Sequence, residues 1–279
     1  MRIGILGASG FIGKHVTAAL RQRGDTVVSA SLREPAAAAQ TLAGCDAVVN
    51  LAGEPIAQRW SSDVKKRIEE SRTFAVSTFL DQLSAVAMIP KRYVSASAVG
   101  YYGTSETVTF TEESPAGSDF LARVCLGWER EAARASDLGM RVTCIRNGLA
   151  LGNDGGALEK IIKPFRMGAG GRVGSGKQWY SWIHIDDLTG IYLMAIDGVD
   201  GALNATAPNP VTNSNFTKAL GKALGRPTFF PVPGAAIAAI LGEGAIVVTE
   251  GQRVLPERTM MAGYTFRFSE VGAALANLV

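Results

Sequence analysis

Residues 2–24, RIGILGASGFIGKHVTAALRQRG, decide the fold. The apolar run RIGIL reads as a short strand, and Phe11, Val16 and Leu20 recur at roughly helical spacing until Gly24 closes the helix. Between them lies Gly7-Ala8-Ser9-Gly10-Phe11-Ile12-Gly13, a G-x-x-G-x-x-G turn. Glycine at 7 permits the tight turn, at 10 it lets backbone approach a pyrophosphate, and at 13 it allows close helix packing. The N–H groups at the helix start, with the helix dipole behind them, then face an anion. Ser9, Phe11 and Ile12 complete this expected dinucleotide site with the three glycines. A glycine pattern alone is weak; this one sits inside a full strand-helix-strand unit.

Outward from the turn, DTVVSAS reads as the second strand, AAAAQTLAG as a short helix and CDAVVNLAG as a third strand. The unbroken apolar run of the third is expected of a parallel strand covered on both faces. A long helical stretch follows from a cap at Ser61 or Ser62 to about Ala87, then strand RYVSASAV, a helix from about Leu121 to Ala135, and strand RVTCIRNG. This alternation predicts an α/β protein with a Rossmann-type doubly wound parallel sheet. After Gly148 come glycine-rich loops, helix DDLTGIYLMAI, strand GALNATA, helix NSNFTKALGKALG and a tail rich in Pro, Ala and Gly. The expected division is a nucleotide-binding Rossmann domain over 1–150, its sheet completed by 180–206. A small interleaved substrate or lid domain takes 151–179 and 207–279.

At 279 residues, 47% hydrophobic and 19% charged, the chain has the composition of a soluble globular protein, and no apolar run of about 18 residues predicts a membrane span. The net charge of +3 is dispersed, with KKR at 65–67 as its one basic block, so nucleic acid is not an expected partner. A basic pocket for an anionic small molecule stays open. Cys45, Cys125 and Cys144 are too scattered for a disulfide framework or a zinc site, and no metal is expected. MRIGILGASG enters a strand at once, without a signal-peptide pattern, so a cytoplasmic protein is expected.

The end of the second strand selects the cofactor. NAD binders place an acid there for the ribose 2′-hydroxyl, whereas VVSASLRE supplies Ser29, Ser31 and Arg33 before Glu34. Arg33 can fork onto a 2′-phosphate with Ser31 beside it, or stand solvated two residues before Pro35. The first reading makes NADP(H) the expected cofactor.

The turn, VVNLAG, SASAVGYYG, DFLARVCLGWE, IRNGLALG and QWYSWIHIDDL follow one another in an order that resembles the extended short-chain dehydrogenase/reductases. The likeness is greatest to their atypical subfamily of nucleoside-diphosphate-sugar epimerase-like, or cell-division-inhibitor-like, proteins. It covers essentially the whole chain, including GEGAIVVTEGQRVLPERTMMAGYTF near the C-terminus. The resemblance implies that Leu51, Ala52 and Gly53 pass beside adenosine and ribose and that Arg72 contacts the cofactor. It also implies that Ser95 and Ala96 line the nicotinamide side, that Asn147, Gly148 and Leu149 run past the carboxamide, and that Ser97 is the active-site serine. Ser97 also reads as a buried hydroxyl bonded to backbone.

One departure is decisive for chemistry. Extended members place Tyr, Lys and Glu at i, i+4 and i+8 of one helix; counting back from Glu129 gives Cys125 and Leu121. The acid/base phenol and the lysine that lowers its pKa and bonds the nicotinamide ribose are both missing. Tyr101 and Tyr102, following Ser97 at a strand end, are the replacement phenols, or else aromatic pocket wall. A second departure is that only about 14 residues separate the second strand from DAVVNLAG, too few for a further βα unit.

Trp60, Trp179 and Trp182 can supply flat apolar faces to a substrate, and Arg59, Lys163, Arg166 and Arg172 can meet an anionic one; each also reads as packing or surface. His184, Asp186 and Asp187 look like a metal or triad fragment, but an aspartate just before LTGIYLMAI is a good helix N-cap. Cys125 on an apolar helix face reads as a small hydrophobe. The expected function is NADP(H)-dependent oxidoreduction of a small carbonyl or hydroxyl compound. The alternatives are a nucleotide-sugar epimerase or dehydratase, and a non-catalytic NADP(H) sensor.

Overall fold

The computed structural model describes residues 1–279. Six parallel strands form the central sheet: β1 (Arg2–Leu6), β2 (Thr26–Ala30), β3 (Ala47–Asn50), β4 (Arg92–Ala98), β5 (Arg141–Asn147) and β6 (Gly201–Ala205). Their spatial order is β2-β1-β3-β4-β5-β6, so the strand order reverses between β1 and β3. Open α/β sheets gather ligands outside the carboxyl ends at such a switch point. The buried strands are those with continuous apolar runs: all four residues of β3 are buried, as are the central five of β4.

Side-chain alternation sends successive strand residues to opposite faces. Ile3, Ile5, Val49, Val94 and Ile145 pack on Val16 and Leu20 of α1 (Phe11–Gln22), together with Leu188, Ile191 and Tyr192 of a helix at Ile185–Asp197. Leu6, Val48 and Tyr93 face the other way. They meet α2 (Pro35–Leu42), α4 (Phe74–Leu83) and α5 (Phe120–Ala133) through Leu42, Phe79, Leu83 and Trp128, with α3 (Ser62–Glu70) preceding α4. Each such buried Leu, Ile or Phe contributes about 1.5–3 kcal/mol. A third cluster lies under the C-terminal half, where Leu158, Ile162 and Phe165 of α6 (Gly156–Arg166) meet Phe216 and Leu220 of a helix at Asn213–Leu224 and Leu275 of a final helix at Val271–Leu278.

Two sequence expectations are corrected. The stretch from Ser61 to about Ala87 is not one helix but two, α3 and α4, broken at 71–73, where Arg72 turns in to hydrogen-bond the carbonyls of Ile68 and Glu54. Ser61 is the cap, its side chain accepting from Val64 N–H at 3.3 Å. The helix at Ile185–Asp197 is capped not by an aspartate but by His184, whose Nδ1 accepts from Asp186 N–H at 3.1 Å. The Ala/Gly-rich tail also carries a helix at Gly234–Leu241, none of whose residues is buried.

Candidate functional site

Strand register sets the geometry. Leu6 lies opposite Ala30 and Asn50, Asn50 opposite Ser95, and Ala98 opposite Asn147. Gly7, Ser31 and Leu51 therefore leave the sheet side by side. Gly7 has φ +84°, and a Cβ on it would lie 2.8 Å from Ala52 N, so both conformation and contact require glycine. At Gly13 a Cβ would lie 2.3 Å from the Gly7 carbonyl oxygen, which fixes α1 against the turn.

Gly10 differs from both. Its φ is −71°, open to any residue, and an added Cβ would meet only Gly7 O at 3.3 Å. The chain presses on that position far less than on Gly7 or Gly13, a shift of a few tenths of an ångström relieving the contact, and Ser9 and Gly10 are exposed on the outward side of the turn. α1 starts at that point without a side-chain cap and without an acid in its first turn, leaving N–H groups and positive dipole uncompensated. This cradle fits a pyrophosphate. Phe11 and Ile12 are partly buried beside it. The Phe11 ring is enclosed by Gly152, Gly155 and Gly156, where added Cβ atoms would come within 2.6–3.0 Å of it.

At the end of β2, Ser31 Oγ accepts from Arg33 N–H at 3.2 Å, and Ser31 O accepts from Glu34 N–H at 3.1 Å. The buried Leu32 anchors this turn and leaves Ser31 and Arg33 exposed beside Gly7. After β3, Ala52 N–H donates to Asn50 Oδ1 at 3.1 Å and Gly53 is exposed over Arg72. Arg72 is 8% exposed, its guanidinium 4.9 Å from the centre of the Trp128 ring, and burial pulls it down to about 10.

On the β4 side the structure ties up most of the expected hydroxyls. Ser95 is fully buried and donates to Ala96 O, with Ala96 itself in the core. Ser97, 1% exposed, donates to Glu129 Oε1 at 2.6 Å. Tyr102 is drawn into the core rather than the cleft: its hydroxyl donates to Asn204 Oδ1 at 2.7 Å, accepts from Arg146 Nη1 at 2.9 Å, and burial pushes it up to about 12. Tyr101 stays partly exposed, its ring lying on the Arg146 guanidinium with 3.5 Å from carbon to ring centre. Asn147 exchanges hydrogen bonds with Tyr192, Gly148 is pressed against Ser181 O, and Leu149 N–H donates to the same oxygen at 2.8 Å.

Glu129 and Arg146 organise this side. Arg146 Nε and Nη2 each meet a carboxylate oxygen of Glu129 at 2.8 Å in a buried bidentate pair. Behind it, Glu112 accepts from Asn204 N–H at 2.9 Å and from Arg258 N–H at 3.1 Å. Glu129 served in the sequence only to locate the missing pair, and Arg146 was missed although a charge inside the apolar strand VTCIRNG was a signal. Glu112 had none. The positions on α5 where a tyrosine and lysine would stand lie beside Gly100, on which a Cβ would be in ordinary contact with Leu121 Cβ at 3.4 Å and Cys125 Sγ at 3.7 Å; Leu121 is partly buried and Cys125 buried. The Cys125 thiol is pushed up to about 12 by burial, which makes it a packing group and not a nucleophile.

The remaining candidates do not gather here. Trp182 is fully buried in the C-terminal cluster, and Trp60 packs on Phe120 with ring centres 5.2 Å apart, so neither is an open face; Trp179, partly exposed, stacks near Arg253. Arg59 donates to Ala239 O, Arg172 to Gly174 O and Ser175 O, Lys163 pairs with Glu159, and Arg166 is exposed at the end of α6. Asp187 accepts from Arg267 N–H and Phe268 N–H, and His184 stacks on Phe268 at 3.9 Å. No group of three or more His, Cys, Asp or Glu side chains is arranged to hold a metal ion.

Residues 3–206 match the model of the NAD dependent epimerase/dehydratase family. The chain belongs to that family. Residues 232–278 match a second model, described as a domain of unknown function (DUF1731). Among relatives, an epimerase family protein SDR39U1 homolog from Arabidopsis thaliana, described as chloroplastic, is 43% identical, covering 99% of this chain and 86% of its own. Epimerase family protein SDR39U1 from Homo sapiens is 40% identical, covering 100% of both. A crystal structure of the human SDR39U1 (isoform 2) with NADPH superposes with a TM-score of 0.93 at 38% identity, covering 100% of this chain and 99% of that one. The six-stranded sheet of this chain is of Rossmann type, and no helix of the chain is long and apolar enough to cross a membrane.

Proposed function

We propose that this chain is an NADP(H)-dependent oxidoreductase acting on a small carbonyl or hydroxyl compound. The observation that carries the reading is Gly10: an exposed glycine of ordinary backbone conformation, at the uncapped start of α1 on the switch point of the sheet. The exposed Ser31 and Arg33 turn beside it suits a 2′-phosphate, and the NADPH in the human relative's structure supports the same choice. When bound, NADP(H) supplies or accepts hydride. The chain's own part is to hold the phosphates on α1 and the 31–33 turn, and to offer a proton from Tyr101 near the end of β4, where Tyr102 and Ser97 are already committed. Residues 151–179 and 207–279 form the substrate side in this reading. No converging set of free cations supports an anionic substrate in particular.

A second reading, epimerisation or dehydration of a nucleotide sugar, is favoured by the family to which the chain belongs. NADPH absorbance during a screen of carbonyl compounds tests the first. Consumption stoichiometric with product is the expected result; isomerised product with no net change in NADPH transfers the assignment to the second. Tight NADPH binding with neither outcome leaves a binding protein and overturns both.

A further inference from the structure

Charge that reads as dispersed along the sequence is segregated in the fold. Residues 160–185 and 201–242 hold eight Lys and Arg and no Asp or Glu, so the rest of the chain is net acidic although the whole carries +3. The two stretches meet in space. Ile162 and Phe165 of α6 share a core cluster with Phe216 and Leu220 of the helix at Asn213–Leu224, and Lys160, Lys163, Arg166, Lys218 and Lys222 are left exposed on these two helices. Of the eight cations, Lys163 alone has an acidic partner, Glu159.

Apolar surface lies open among them. Residues 228–241, TFFPVPGAAIAAIL, carry no charge; Phe229 is 83% and Phe230 71% exposed, and the helix at Gly234–Leu241 buries none of its residues. This stretch is fastened to the loop that follows α6. Val232 N–H donates to Arg172 O at 2.8 Å, Gly174 N–H donates to Val232 O at 2.9 Å, and Gly171 is pressed on the Phe230 carbonyl. Met167, 76% exposed, begins that loop, and Arg226, whose N–H donates to Gly221 O at 2.8 Å, leads into the phenylalanines. Arg166, Met167 and Arg172 thus stand on a segment beside Arg226, Phe229 and Phe230. Two adjacent exposed phenylalanines give up burial that each could contribute to stability, and a contiguous apolar patch of this kind marks an interaction surface.

The charge pattern selects the partner. A second copy of the chain, paired about a two-fold axis, would bring the same arginines face to face. Nucleic acid is met by cations interleaved with stacking aromatics, whereas here fourteen consecutive residues carry none. Apolar side chains ringed by unpaired Lys and Arg suit a surface that is anionic outside and hydrocarbon beneath. We infer that this face docks on an anionic lipid bilayer, Phe229 and Phe230 entering the headgroup layer and the surrounding cations meeting the lipid charges. Such docking needs no spanning helix.

Co-sedimentation of the full chain with vesicles tests it, using phosphatidylcholine alone and an equal mixture of phosphatidylcholine and phosphatidylserine. The wild type is expected to partition about tenfold or more in favour of the mixed vesicles, and to be released by salt. Phe229→Ser with Phe230→Ser is expected to lose about tenfold on them, and Arg226→Gln about fivefold, with melting and NADPH affinity as in the wild type. Phe229→Ser alone carries the comparison if the double variant does not fold. No binding to mixed vesicles, equal binding to both kinds, or no loss in the phenylalanine variants overturns the inference. A dimer in solution that those variants dissociate gives the face to a second copy, and tighter binding of an oligouridylate than of mixed vesicles gives it to nucleic acid; either result overturns the lipid assignment.

Discussion

The Arg146 guanidinium carbon lies 3.5 Å from the centre of the Tyr101 ring, while its Nη1 donates to the hydroxyl of Tyr102 at 2.9 Å. One arginine thus supports two adjacent tyrosines in different ways, and the two should respond differently to loss of the phenol. Tyr101→Phe keeps the ring on Arg146 and removes a proton donor, so turnover is expected to fall about 10²–10⁴-fold with NADPH affinity unchanged. Tyr102→Phe strips a partner from Asn204 and Arg146 and is expected to cost about 1–3 kcal/mol of stability, read by denaturant unfolding. Wild-type turnover in Tyr101→Phe removes it from the reaction.

Gly10 and Gly13 form a matched pair of opposite character. Gly13→Ala puts a Cβ where the Gly7 carbonyl lies 2.3 Å away and is expected to destabilise the fold by about 1–3 kcal/mol. Gly10→Val meets the Gly7 carbonyl oxygen at 3.3 Å, a contact that a small shift relieves, so its melting should fall much less than that of Gly13→Ala while NADPH binding is lost. Unchanged NADPH affinity in Gly10→Val means the phosphates bind elsewhere.

Arg33 stands free at the end of β2, so its replacement tests cofactor choice without disturbing the core. Arg33→Ala is expected to weaken NADPH by about ten- to a hundredfold and leave NADH nearly untouched, the worth of one or two bonds to a phosphate. Equal losses for both cofactors, measured by calorimetry, count against a 2′-phosphate contact.

His184 gives stability a pH dependence. Burial lowers its pKa below the usual 6.5, outweighing the nearby Asp186 and Asp187, and its Nδ1 is held as an acceptor for Asp186 N–H. The unfolded chain therefore takes up a proton before the folded one does. The stability contributed is complete above pH 6.5 and is lost as the pH falls from there through the folded value. His184→Asn retains a capping acceptor without the titration, so its unfolding free energy should fall less than the wild type's across that window. Parallel curves for the two proteins assign the acid dependence to other groups.

RIGIL, VVNLAG and RYVSASA announce their strands because each carries a local signal, an apolar run bounded by turn residues, and the glycine turn announces itself because backbone conformation is a property of the residue. The absence of the helix-borne tyrosine and lysine was equally legible, since it needs only counting along α5. What replaces them was not. Ser97 and Glu129 are 32 residues apart, Arg146 and Tyr102 are 44, and Tyr102 and Asn204 are 102, and no local pattern joins them. Tyr101 and Tyr102 are neighbours that read alike, yet one is tied into the core and the other left at its edge. The chain by itself determined which residues can turn, cap and lie in a sheet, because those are short-range steric and solvation preferences. Tertiary structure alone decided which hydroxyls are spent and which cations are left unpaired, because burial and hydrogen-bond partnership depend on which strands become neighbours.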